Sequence, residues 1–109
     1  MTIEEVRAIV LKQSTGKLTV TNDHRMNLEQ ALIAPEKISL IARHVKDGRV
    51  WDEEIHVWLV GQENRRDGYK IVLRDDGLQF GLASSGFPHD RYPVLCGWYG
   101  GLLSAFLGM

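Results

Sequence analysis

Four histidines, a single cysteine and one run of acids are the residues whose chemistry stands out in this 109-residue chain. Metal binding needs ligands at a repeat that brings them to one side of an element. His24, His44, His56 and His89 show neither the HxxxH nor the HExxH spacing, and Cys96 has no second thiol to join it. No metal site is expected. Asp52-Glu53-Glu54 resembles a source of general acids, but consecutive residues of a strand face opposite sides and cannot all converge on one substrate. Ser84 and Ser85 precede His89 closely enough to suggest a nucleophile and a base. The chain lacks the GxSxG elbow and any oxyanion-hole pattern to go with them. Gly97, Gly100 and Gly101 lack the spacing and the lysine of a phosphate loop, so no nucleotide or other cofactor is expected. No catalytic residue is assigned.

The segment from Ser84 to Tyr92 is better suited to recognition. It gathers Phe87, Pro88, His89 and the oppositely charged Asp90 and Arg91 into one connection between strands, a place where binding residues concentrate. The candidate binding set is Phe87, His89, Asp90, Arg91, Tyr92 and, from the following strand, Trp98. A second cluster, Arg65-Arg66 with Arg25, Arg49 and Lys46, reads as solvated charge, because the aromatic platforms of a single-strand binder are absent from those segments. With 13 basic and 14 acidic residues the net charge is −1, so no overall field draws in nucleic acid or anionic lipid.

Tyr92 to Met109 contains no Lys, Arg, Asp or Glu, although those types make up 25% of the chain. Its Trp98, Tyr99, Leu102, Leu103, Phe106 and Leu107 demand burial in the core, in a subunit interface or against a partner. The run is shorter than the ~20 residues of a membrane-spanning helix and is interrupted by Pro93, Gly97, Gly100 and Gly101. Nor does the acidic start, MTIEEVRAIV, match a secretory signal. Cys96 reads as a buried structural thiol, which points to a cytoplasmic setting. So much apolar surface at one end of a small domain also suggests sharing with a second copy, as a homodimer.

The elements that must position these residues follow from local pattern. Thr2 and Glu5 have capping-box spacing, Ile3, Val6, Ile9 and Val10 recur at helical period, and Gly16 supplies a stop, which predicts a helix over residues 3–13. Lys17 to Thr21 alternates and is β-branched, which predicts a short strand. Asn27, with Gln30 three residues on, is placed to cap about two turns of helix ahead of Pro35. Ile38 to Lys46 admits a helix stopped by Gly48, or one arm of a hairpin turning at Asp47-Gly48. The hairpin is favoured because its register opposes Arg43 to Asp52, His44 to Trp51 and Val45 to Val50. A second hairpin joins Tyr69–Arg74 to Leu78–Ala83 across Asp75-Asp76-Gly77, with a polar, glycine-bounded loop over residues 61–68 before it. Pro93 to Trp98 reads as a closing strand and Leu102 to Leu107 as a short terminal helix.

One α+β domain over residues 1–109 is therefore expected, with an N-terminal helix packed on an antiparallel sheet of about five or six strands and a short C-terminal helix. The favoured function is a non-enzymatic cytoplasmic protein-interaction domain of prokaryotic type, its partner unknown. Toxin-neutralising immunity proteins offer an analogy, but of fold alone. The alternative is a small-molecule binder or small enzyme with a pocket between sheet and helix.

Overall fold

The computed structural model describes residues 1–63 and 68–109. Its first element, α1 (Ile3–Ser14), begins with the expected capping box: the Glu5 backbone N–H donates to Thr2 Oγ1 at 3.2 Å, and the Thr2 N–H donates to Glu5 Oε1 at 3.0 Å. Val6 is fully buried, and Ile3, Ile9 and Val10 pack against the same cluster. Residues 17–20 do not form the expected strand. They turn instead, with the Val20 N–H donating to the Lys17 carbonyl, and only Thr21 pairs, bridging to Asn27. Alternation over five residues cannot hold a strand without a neighbouring strand to bond, and none is offered among the described residues. Asn27 then caps α2 (Leu28–Ala31) through a reciprocal box with Gln30.

Five strands follow: β1 (Leu32–Lys46), β2 (Arg49–Gln62), β3 (Lys70–Arg74), β4 (Phe80–Ser84) and β5 (Val94–Gly100). The hairpin at Asp47-Gly48 has the expected register throughout its tip, with Lys46 opposite Arg49, Val45 opposite Val50, His44 opposite Trp51 and Arg43 opposite Asp52. Both turn residues have positive φ, 53° at Asp47 and 73° at Gly48, as a two-residue turn of this hand requires. The second hairpin also forms, opposing Leu73 to Phe80 and Ile71 to Leu82. β2 continues through Gln62, which shortens the expected loop from its start. Its remaining residues 64–67, and with them the Arg65-Arg66 reading, lie outside the described residues.

The sheet is not an open antiparallel one. It closes into a small barrel in the order β1-β2-β3-β4-β5 through a single parallel contact, Ile41 beside Val94, where the Ile41 N–H donates to the Pro93 carbonyl at 2.8 Å. Closure creates two apolar layers. One holds Leu40, Val57, Leu59, Val72 and Ala83 with Leu95 and Trp98 against them; it draws on all five strands and on no helix, so it is the barrel's filling. The other lies between the opposite faces of β2, β3 and β4 and the helices. Gly81 permits the tight closure of β4 on β5, since a Cβ there would meet the Gly97 carbonyl oxygen at 2.6 Å and the Trp98 ring.

The charge-free tail splits as expected, into β5 and α3 (Leu102–Leu107). Leu102, Ala105 and Phe106 are fully buried in the chain's own outer layer, beside Val6 of α1. Gln13 of α1 caps α3 across the structure by accepting the Leu102 N–H at 2.7 Å, and buried Asn22 donates to the Phe106 carbonyl at its far end. The homodimer expectation rested on surplus apolar surface in this tail, and self-packing consumes most of that surplus, leaving Tyr99 and Leu107 exposed. The expectation of a buried Cys96 is corrected: it is exposed, with Leu95 and Trp98 taking the inward positions of β5.

Candidate functional site

Strand pairing ends early at one end of the barrel. β3 reaches only as far as Arg74, opposite Val57, and β5 touches β1 only at Ile41. Beyond those points β1 and β2 pair as strands only with each other among the described residues, and residues 42–56 form a two-stranded ribbon that extends past the barrel. The molecule measures 44 × 31 × 23 Å along its principal axes. Apolar side chains sit on this ribbon in solvent: Val45 is 72% exposed and Val50 63%, and Trp51 stacks on His44 with ring centroids 5.2 Å apart. Burial of such residues would be favourable, at roughly 1.5–3 kcal/mol for a fully covered large aliphatic or aromatic side chain.

The ribbon is braced at its root. Arg43 donates from Nε and Nη2 to the two oxygens of Asp52 at 2.8 and 3.0 Å, and from Nη2 to Asp90 Oδ1 at 2.7 Å. Asp90, whose side chain is only 4% exposed, also accepts the Phe87 backbone N–H at 2.7 Å and so closes the turn from Phe87 to Asp90. One guanidinium thus joins both arms of the ribbon to the loop over residues 85–93. Gly86 is needed at the contact, because a Cβ there would run into the Asp90 carboxylate and Val94. The bonds from Arg43 hold the carboxyl groups of Asp52 and Asp90 below the ordinary carboxylate range, and raise Arg43 in turn.

Five of the six expected binding residues come together in this loop. Phe87 is 65% exposed and its ring lies parallel to that of His89, at 5.7 Å and 6°. Arg91 lies over the Tyr92 ring at 5.2 Å, and a concavity of about 540 Å³ runs between Ser85 and Pro93. The Asp90 carboxylate is bonded to Arg43 of the ribbon and to the Phe87 N–H, and so positions the other residues of the loop. Trp98 stands apart, half-buried in the barrel filling with Arg74 over its ring at 5.8 Å. Arg43 was missed as a site residue. Its pairing with Asp52 was legible from the hairpin, but nothing local marks Asp90 as its second partner.

A second concavity, of about 420 Å³, opens at the barrel mouth between the ribbon, the turn at Arg74-Asp75-Asp76 and β5. Ile55, Val57, Leu95 and Trp98 form its apolar floor, while His44, Glu53 and Asp76 stand at the rim. The layer between sheet and helices, where the alternative reading placed a pocket, is filled by Val6, Leu102, Phe106 and Phe80, each at most 1% exposed.

Ser39 Oγ lies 3.2 Å from His56 Nδ1, and His56 Nε2 lies 3.7 Å from Glu54, a nucleophile, base and acid in sequence. Ser39 is half-buried while His56 and Glu54 are exposed, and an open setting of this kind gives little activation to a serine or a developing oxyanion. His89 bonds to neither Ser84 nor Ser85; its near neighbour is Asp90, at 3.7 Å. Among the described residues no three His, Cys, Asp or Glu side chains stand close enough to hold a metal ion, and no helix is long and apolar enough to cross a membrane. Comparison with protein-family models, curated proteins and solved structures finds no match to this chain.

Proposed function

We propose that this protein is a non-enzymatic interaction domain of the cytoplasm, which binds a protein partner through the projecting ribbon and the braced loop beside it. The observation that carries this reading is the Arg43 clasp. Exposed valines on a free ribbon would be a mere liability, but here Arg43 fixes them relative to Phe87 and His89, and a pre-ordered surface loses less entropy on binding. Aromatic residues and arginine, common at the energetic centres of interfaces, are concentrated on it. The exposed strand faces and the packed helix layer favour recognition over catalysis.

The reading is tested by capture from a lysate of the native host with two baits. One is the unaltered protein and the other carries Val45→Ser, Val50→Ser and Phe87→Ser together, substitutions of exposed side chains that leave the barrel intact. Proteins retained by the first bait and lost from the second are the expected result. Equal retention by both baits, with unchanged thermal unfolding of the variant, overturns the proposal.

A further inference from the structure

Resting on that interaction reading, we infer that the outer edge of β2 between Arg49 and His56 accepts an extended peptide segment as an added strand, and that the segment alternates basic and apolar side chains. The two edges of the ribbon are not equivalent. The β1 side is tied to the loop over residues 85–93 through Arg43 and Asp90. Along β2, partner pairing stops at Val57, because β3 ends opposite it at Arg74. The lane of β3 is thus vacant beside residues 49–56, where outward backbone donors and acceptors have no strand to meet among the described residues. Such a row is a template for strand addition.

The side chains on that edge specify what fits. Odd-numbered Trp51, Glu53 and Ile55 share the concave face, and Glu53 and Ile55 line the 420 Å³ barrel mouth. An added strand would direct every second side chain over this mouth, where Leu95 and Trp98 offer apolar contact. Its other side chains would lie beside Asp52, Glu54 and His56. Asp52 is neutralised by Arg43, but Glu53 and Glu54 have only His44 and His56, which lend positive charge only when protonated. A basic residue opposite Glu54 meets an uncompensated carboxylate. The same charges oppose self-pairing: an antiparallel β2–β2 contact centred on Glu53 would set Glu53 against Glu53 and Asp52 against Glu54 of the second copy. The edge is therefore guarded against its own kind and open to a basic strand.

The probe is an acetylated, amidated hexapeptide alternating lysine and valine, titrated into the full-length protein while amide hydrogen exchange is followed residue by residue. Exchange at the outward-facing amides of Val50, Asp52, Glu54 and His56 should slow by about tenfold or more at saturation, as for backbone groups drawn into a ladder. The fully N-methylated peptide keeps the charges and side chains but cannot form a ladder, and should fail to bind. Glu54→Gln should weaken the parent peptide by roughly 2- to 5-fold, the range of an exposed ion pair. Equal binding of the N-methylated peptide, slowing confined to other regions, or no binding at all overturns strand addition; the last is what an edge serving only to prevent aggregation would give. If the peptide fails while the triple-serine bait still loses its partners, strand addition falls and the interaction reading stands. Retention of those partners by that bait counts against the interaction reading alone.

Discussion

Residues 57–60 of β2 and residues 49–54 of the same strand lie in opposite environments. Val57, Trp58, Leu59 and Val60 are buried between two apolar layers, whereas every residue from Arg49 to Glu54 is exposed. One strand serves two purposes because its neighbours differ. Where β3 lies alongside and helices cover the far face, hydrophobic burial holds the strand; past Arg74 the hairpin ladder and the Arg43 clasp hold it. Stability is concentrated at the barrel end, and the ribbon is free to carry exposed groups that a core could not tolerate.

This contrast is most severely challenged by removing residues 101–109. That deletion takes away Leu102, Ala105, Phe106 and Met109 from the outer layer and uncovers Val6 and Phe80, so the product should be unfolded or insoluble. A soluble, cooperatively folded truncation would show that α3 is not needed to seal the outer layer. Phe106→Ala, a milder form of the same test, should cost about 3–5 kcal/mol in urea unfolding. By comparison, Val45→Ser on the ribbon should change stability by less than about 0.5 kcal/mol.

The clasp is addressed by Asp90→Asn. The substitution removes the charge facing Arg43, so amide exchange over residues 86–92 should quicken while the protection of β3 and β4 is nearly unchanged. Acid should act in the same order. Asp52 and Asp90 have lowered folded-state pKa values, so the unfolded chain takes up protons first as pH falls. Their contribution to stability is complete above the ordinary carboxylate range near ~4 and is lost as pH drops through the lower folded values. Resonances of Phe87 and His89 should therefore shift below about pH 4 before the barrel unfolds. Simultaneous loss of both would mean that loop and barrel form one cooperative unit.

A charge-swap cycle gives a smaller and sharper signal. Were Arg43 and Asp52 an isolated pair, reversing both would recover most of what either reversal loses. Asp90 remains in place, however, and the double variant sets a new aspartate at position 43 against it. Recovery should be incomplete until Asp90→Asn is added, as read from the unfolding midpoints of the set. The smallest expected effect on the fold is at Cys96. A charged thiol reagent should label it in native buffer without unfolding, since the side chain is exposed and bonds only weakly to Ser84 and the Val94 carbonyl.

Much of the architecture is legible in short stretches of the chain. The Thr2–Glu5 and Asn27–Gln30 caps, the Asp47-Gly48 turn with its register, the second hairpin and the break at Gly100-Gly101 depend on groups a few residues apart, whose geometry is dictated by local backbone preference. The loop carrying Phe87 to Tyr92 was marked in the same way, by the types of residue it gathers. Other features depend on partners far along the chain. The failure of residues 17–20 to form a strand, the parallel contact of Ile41 with Val94 that closes the barrel, and the outward turn of Cys96 follow from how the strands assemble. So does the second half of the clasp, for Asp90 meets Arg43 across 47 positions. Short-range hydrogen bonds and turn strain are written into neighbouring residues, but which distant surfaces meet is decided by the simultaneous packing of two apolar layers, and only the closed barrel settles it.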